Sequence, residues 1–398
     1  MKILLLTDIP PCENFTAGLV LEKLVRFLNS DELVLCSVVN SAIVPVVPKD
    51  LQSLPSLTLA KPREAAVRLL PGFAGAAIAF CFELFYSFRA RFLLPKIIKF
   101  AQDNRVDAVW VILQGQTMVR LARPLSQKLR VPLFTQIWDP FGWWLRDNRI
   151  DRLTQGRLFA EFDRAVQHST ACATTSWAMS DEFNRRYKTR TRPVIASLSR
   201  ECVNPPALQP HDSDDFIIGM AGQFYAETEW DSLIAALNQV NWTIAGKRIR
   251  IRVMGARLDL ASRQPANFEY LGWQSQQATI RLLAESDLLY LPYWFSEEFR
   301  EESSTSFPSK LVAYFAAGRP VFCHAPEYAS PTRYLAMHDA GYLCTSLDVE
   351  RVLGVLTQAI TDPQLYAKRT EAATDCFLRD FTLERMKETF FDFLSKPL

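Results

Sequence analysis

The sequence predicts an α/β protein of two doubly wound domains, and three observations carry that expectation. Short apolar runs of strand length alternate with stretches whose apolar residues recur at helical spacing, along most of the chain. The alternation breaks once, in the proline- and aspartate-rich stretch from Leu198 to Asp215, and then resumes. At 398 residues each half has enough chain to bury its own core, taking roughly 100 to 200 residues per domain. Alternation of this kind implies parallel sheets covered on both faces.

The elements follow in order. Met1 to Leu6 is too short an apolar run for a secretory signal and is broken at once by Thr7, Asp8 and two prolines, so it reads as the first strand. Leu21, Leu24, Val25 and Leu28 then mark one face of a helix. Leu33–Asn40, Ala108–Leu113 and Pro132–Ile137 read as strands, with a helix over Thr117–Leu129. The apolar stretch Leu69 to Leu94 is interrupted by Pro71, Glu83, Arg89 and Arg91, short of the about 18 uninterrupted residues of a membrane span. Beyond the break come strands at Phe216–Met220, Ile249–Met254 and Phe268–Leu271, with a helix from Ser232. The expected divisions are an N-terminal domain over 1–200, a linker over 201–215, a C-terminal domain over 216–380, and a terminal helix over 381–398 placed to pack back on the N-terminal domain.

Composition narrows the function. Apolar residues at 49% and charged residues at 22% mark a globular protein, and a net charge of +2 gives no basic excess for a nucleic-acid partner. The eight cysteines include no C-x-x-C pair and the four histidines are scattered, so the chain offers no metal cluster and its thiols read as reduced, in a cytoplasmic setting. Asp212-Ser213-Asp214 has a D-x-D form, but it lies in linker composition and reads as a solvated turn.

The most informative stretch runs from Ser303 to Val321. Ser306 or Phe307 is placed to cap a helix, Pro308 suits its first position, Gly318 its left-handed end, and Pro320 prevents continuation. Such a helix, about three turns long, offers unpaired N–H groups at its start beside the hydroxyls of Ser306 and Ser309 and the ammonium of Lys310. A diphosphate suits that end. An ordinary capped helix with a solvated lysine is the competing reading.

Ser306-Phe307-Pro308-Ser309-Lys310-Leu311 followed by Ala316-Ala317-Gly318-Arg319-Pro320-Val321 resembles the donor-site helix of family 4 glycosyltransferases, the glycosyl transferases group 1. Gly222, Gly255, Leu271-Gly272-Trp273 and Ala284 to Pro292 lie in matching order, and the resemblance covers about 216 to 390; Thr16-Ala17-Gly18 is similar to the glycine-bearing first turn of the N-terminal domain. The resemblance implies a GT-B fold, two Rossmann-like domains facing a central cleft. It implies donor contacts from Gly222, Gln223, Trp273, Tyr293, Ser306, Phe307, Ser309 and Lys310.

The sequence also departs from that family. Gln223 stands where relatives carry a phosphate-binding arginine, Thr228 and Glu229 replace the lysine and glycine of the same loop, and the paired glutamates fall at Thr305 and Ala313. Lys310 is then left to supply more of the charge, with Arg319 or Arg333. Thr305 takes the position of the first glutamate, and Glu301 or Glu302 is the nearest carboxylate that a loop shift could bring to the same place.

Acceptor contacts are expected on loops after N-terminal strands. One loop holds Glu13 and Gly18; the other holds Trp138, Trp143, Trp144 and Arg146 around Asp139, the carboxylate best placed to orient or deprotonate an acceptor hydroxyl. The aromatics of this second loop suit either a sugar ring or a satellite apolar cluster. The segment 67–99 combines phenylalanines with Arg89, Arg91, Lys96 and Lys99, and reads either as a surface resting on an anionic membrane or as helices packed on the sheet.

The resemblance thus implies a hexosyltransferase-type enzyme. It would move a sugar from a UDP- or GDP-sugar to a saccharide or lipid-linked acceptor with retention, in polysaccharide or glycolipid assembly at the cytoplasmic face of a membrane, with no cofactor beyond that substrate. A degenerate homologue that binds nucleotide or glycan without turnover, or a nucleotide-sugar epimerase, are the alternatives.

Overall fold

The computed structural model describes residues 1–64, 72–255 and 265–395. They fall into two compact units, one joining Met1–Val194 to the chain from Lys387 onward, the other comprising Ile195–Met386.

The first unit holds a seven-stranded parallel sheet of order β3-β2-β1-β4-β5-β6-β7. Its strands are β1 (Ile3–Thr7), β2 (Leu33–Asn40), β3 (Ser56–Lys61), β4 (Ala108–Ile112), β5 (Leu133–Ile137), β6 (Ala171–Thr174) and β7 (Thr191–Pro193). Ile3 pairs with Leu33 on one side and Ala108 on the other, so the chain runs outward from β1 in one direction and from β4 in the other. Every residue of β1, β4 and β5 is buried, as parallel strands covered on both faces require. The covering helices are α1 (Thr16–Val25), α2 (Gly72–Asp103), α3 (Gly115–Leu129), α4 (Phe141–Asp147), α5 (Arg152–His168) and α6 (Trp177–Tyr187).

The second unit repeats the plan with a sheet of order β11-β10-β8-β12-β13-β14. It comprises β8 (Asp215–Ala221), the two-residue β9 (Thr243–Ile244) antiparallel on β10 (Lys247–Met254), β11 (Phe268–Tyr270), β12 (Leu288–Pro292), β13 (Val321–His324) and β14 (Tyr342–Cys344). Its helices are α7 (Glu227–Gln239), α8 (Gln276–Ala284), α9 (Arg300–Thr305), α10 (Lys310–Ala316), α11 (Ser330–His338), α12 (Val349–Thr361) and α13 (Pro363–Asp380). The alternation read in Ile249–Val253 has a packing cause: Ile249, Ile251 and Val253 enter the core, while the Arg252 guanidinium pairs with Glu269 at 2.7 Å.

Two segments differ from the sequence reading. The Pro-rich stretch taken as a linker is packed on the second unit, and the chain leaves the first unit at Val194. Asn204 and Ala207 donate backbone hydrogen bonds to Ala316 and Gly318 at 2.8 and 3.0 Å, and the His211 N–H donates to Asp287 at 2.7 Å. Loop composition here supplies partners for the end of α10. Gly318 (φ +67) sits so close under the carbonyls of Pro205 and Asn204 that a Cβ would clash.

The second segment is α2, one helix of 32 residues that is long and apolar enough to cross a membrane by length and composition. Its Ala90, Leu93, Ile97 and Ala101 belong to the core of the first unit, and its buried Glu83 pairs with Arg120 of α3 and, at 3.6 Å, with Arg157 of α5. Residues 67–71 of the segment discussed above lie outside the described residues. The last helix, α14 (Leu383–Leu394), begins in the second unit and belongs to the first from Lys387. Its Phe390 ring lies 5.0 Å from Trp110 and its Phe393 ring 5.6 Å from Phe134.

Candidate active site

In the second unit the strand order reverses between β8 and β12, and the ends of those strands carry the site. Gly222 (φ +97) follows β8 and Gly255 (φ +145) follows β10; both conformations are left-handed and favour glycine. The Gly222 N–H donates to Met254 O at 2.9 Å, and a Cβ on Gly255 would lie 2.5 Å from Gly222 O. No side chain fits between these two turns, so their backbone stays open to a ligand.

Lys310 reaches this turn from the start of α10. Its Nζ donates to Gln223 O at 3.1 Å and sits 4.1 Å from the centre of the Tyr225 ring. Among the described residues it has no carboxylate partner. Withdrawal from water with no compensating anion pushes the ammonium down to about 7. Tyr225 stacks on Trp294 at 4.7 Å and meets Tyr293 edge-on at 5.9 Å, so Tyr293 stands in the second layer behind the lysine. The Tyr314 hydroxyl, four residues after Lys310, accepts from Ala221 N and donates to Tyr290 O, both at 3.1 Å. That buried hydroxyl ties the ends of β8 and β12 to α10, at about 0.5–1.5 kcal/mol per bond.

The motif residues divide in space. Helix α10 spans seven residues, shorter than expected, because Ser309 is already in helical conformation without a side-chain cap and the first turn closes through Leu311 N to Pro308 O at 3.0 Å. Ser309 is exposed and Ser306 half-buried beside it. Phe307 points the other way: its ring stacks on Phe381 at 5.6 Å and meets Tyr334 edge-on at 5.4 Å, leaving only its backbone to face a ligand. Glu302 is buried on α9, and the Thr305 hydroxyl donates to Glu301 O at 2.6 Å. Trp273 follows Gly272 (φ +65) and is 86% exposed. It lies past edge strand β11, two strand spacings or about 10 Å from β8.

Of the two arginines expected to add charge, Arg333 donates to Ser304 O at 2.7 Å, two residues before Ser306. Arg319 leaves from the far end of α10 to Ala284 O and His211. Tyr225 and Tyr314 were not among the sequence candidates. Tyr314 had a usable signal, since a helix places it on the same face as Lys310.

In the first unit the corresponding strand ends carry Asp8, Lys61 and Gly115. Buried Lys61 pairs with Asp8 at 3.5 Å and with Glu64 at 3.3 Å. Glu64 in turn accepts from the backbone N–H groups of Gln116 and Thr117, each at 3.0 Å, and from the Thr117 hydroxyl. The start of α3 is therefore occupied by a carboxylate of the chain itself. Desolvation raises the Asp8 carboxyl; desolvation works to lower Lys61, and the Glu64 and Asp8 charges outweigh it to hold the ammonium above its ordinary value.

Gly18 is buried, with Cys12 filling the space its Cβ would take, so it closes its own loop. Glu13 is exposed, its N–H donating to Val46 O at 3.0 Å.

The aromatic segment after β5 is largely helical, as α4. Trp144 stacks parallel to Phe141 at 6.0 Å, and Phe141 on Phe162 at 4.7 Å, so Trp144 packs against the core to which both phenylalanines belong. Trp138 and Trp143 are half-buried and Arg146 is exposed. Trp138 Nε1 is buried with no hydrogen-bond partner among the described residues. Asp139 lies beside it, open to solvent on one side, yet desolvation by the surrounding protein pushes its carboxyl up to about 6.

Residues 206–375 match the family described as Glycosyl transferases group 1. Among solved structures, HepE from Anabaena in complex with UDP and glucose superposes with a TM-score of 0.63 at 14% identity, over 100% of both chains. Sucrose-phosphate synthase from Thermosynechococcus elongatus gives 0.65 at 12% identity, over 99% of this chain and 98% of that one. The apo form of the lipopolysaccharide outer core galactosyltransferase WaaB gives 0.63 at 13%, over 99% of each. No curated protein matches. At these identities the likeness is one of fold, and it extends over the whole chain.

Proposed function

We propose that this chain, a GT-B fold whose residues 206–375 form a group 1 glycosyltransferase domain, transfers a hexose with retention from a nucleotide diphosphate sugar to a saccharide or lipid-linked acceptor. One observation carries the reading: Lys310, without a carboxylate to balance it, meets the open backbone of the Gly222–Gln223 turn at the strand-order reversal of the second sheet. The bond between the anomeric carbon and the diphosphate breaks, and the acceptor oxygen bonds to that carbon. Negative charge grows on the departing diphosphate, beside the Lys310 ammonium, which the Gln223 carbonyl holds in place in advance, and the exposed Ser309 hydroxyl. With a base at Trp273 and phosphates at Lys310, one extended nucleotide would run along the ends of β11, β10 and β8. Asp139, ionised, accepts a hydrogen bond from the acceptor hydroxyl and takes up the proton that this hydroxyl loses as its oxygen bonds to the anomeric carbon.

The HepE complex with UDP and glucose supports a UDP-sugar as the first donor to test. Calorimetric titration with UDP and GDP should show binding by the native chain, weakened at least about tenfold in Lys310→Ala, as expected when a charged hydrogen bond to phosphate is lost. Absence of nucleotide binding by the native chain would sink the proposal. Thr305 and Ala313 in place of the glutamates favour a second reading, a binder without turnover. Release of free sugar from a bound donor separates the two.

A further inference from the structure

One face of α2 is left uncovered by the unit to which the helix belongs. Phe85, Phe88, Phe92, Lys96 and Lys99 fall at steps of three or four, which keeps side chains on one side of a helix, and all five are exposed. Phe85, Phe88 and Phe92 are 52%, 58% and 63% exposed, and the last two rings lie edge to face at 4.8 Å. The row is aromatic through its first part and cationic in its last turns, where Arg91 flanks it.

The opposite face is committed. Ala90, Leu93, Ile97 and Ala101 are in the core, and Glu83 is held by Arg120 of α3 and Arg157 of α5. A helix bonded along one side to α3 and α5 cannot be surrounded by lipid, so its apolar length does not make it a span.

We propose that this face docks on an anionic phospholipid bilayer, with the phenylalanine rings entering the interface and Arg91, Lys96 and Lys99 meeting headgroup phosphates. Charge complementarity selects that occupant. Over Gly72–Asp103 the helix holds four cations and two carboxylates, of which Glu83 is buried and Asp103 is the last residue. A rim of cations beside apolar rings matches an anionic interface. A second copy of the chain would bring the cations of this face against like charges, with Asp103 of the last turn as the exposed carboxylate of each helix. The surface is separate from the donor site, and the proposal stands or falls independently of the transfer reading.

Co-sedimentation of the full chain with phosphatidylcholine vesicles, with and without phosphatidylglycerol, tests it. The native chain should bind the phosphatidylglycerol vesicles, and less so as salt rises. The variant Arg91→Glu/Lys96→Glu/Lys99→Glu should bind them about a hundredfold more weakly, the loss expected of three surface cations. Phe85→Ser/Phe88→Ser/Phe92→Ser should lose at least about as much, with an unchanged melting curve because these rings are exposed. Failure of the native chain to bind anionic vesicles overturns the proposal, as does undiminished binding by the charge-reversed variant. Sedimentation velocity showing a dimer that the phenylalanine variant dissolves would assign the face to self-association instead.

Discussion

The two sheets share a topology but treat their reversal points differently. In the first, the ligand-ready end of α3 is filled from within by Glu64, whose charge is balanced by buried Lys61 with Asp8 on its other side. In the second, Lys310 has no such counter-ion among the described residues, and glycines follow two adjacent strand ends. A helix start attracts an anion wherever it occurs. Whether it becomes a binding site depends on whether the chain satisfies it first. The first unit is thereby closed to phosphate at its reversal point, and its open chemistry moves along the sheet to Asp139 after β5.

The largest effect should come from Asp139→Asn. If the first unit acts through that carboxylate, turnover falls by about 10²- to 10⁴-fold while nucleotide affinity is unchanged. Single-turnover kinetics beside calorimetry would show it, and a loss confined to nucleotide binding would break the assignment.

Glu64→Ala should cost about 3–5 kcal/mol in denaturant unfolding, the penalty of stripping a buried ion of its partner. It should also convert α3 into an anion site, so that phosphate raises the variant's melting temperature and not the native one. Native-like stability would show that the contrast between the two sheets is not electrostatic.

The smallest effect is one of pH. Asp139 is ionised above about 6, whereas Lys310 carries its charge below about 7. Transfer at low donor concentration should therefore peak between these values, rising through the first and falling through the second. Lys310→Arg should remove the alkaline fall, because guanidinium stays charged. An alkaline limb that persists in this variant belongs to another group.

Much of this was legible in the sequence where the cause is local. The strands announced themselves because parallel strands are apolar on both faces, and Gly318 with Pro320 marked the end of α10. Phe307 misled because it lies inside the motif, while its ring is claimed by Phe381 and Tyr334 from other helices. The start of α10 slipped to Lys310 because backbone bonds, rather than a capping side chain, close its first turn. Glu64 was invisible as a counter-ion because its partner Thr117 lies 53 residues away. The Pro-rich stretch read as a linker because composition reports what a segment is made of, whereas its attachment depends on the carbonyls of a helix it meets much later.

The last helix sets a schedule. The second unit is contiguous, but the first is completed by Phe390 and Phe393, which follow nearly the whole of the second in the chain. At a synthesis rate of about 5–20 residues per second, Trp110 and Phe134 wait about 13–56 s for their partners. During that interval the nascent first sheet carries an apolar surface that its own sequence cannot yet cover. The amino-terminal unit, made first, is the last to be finished.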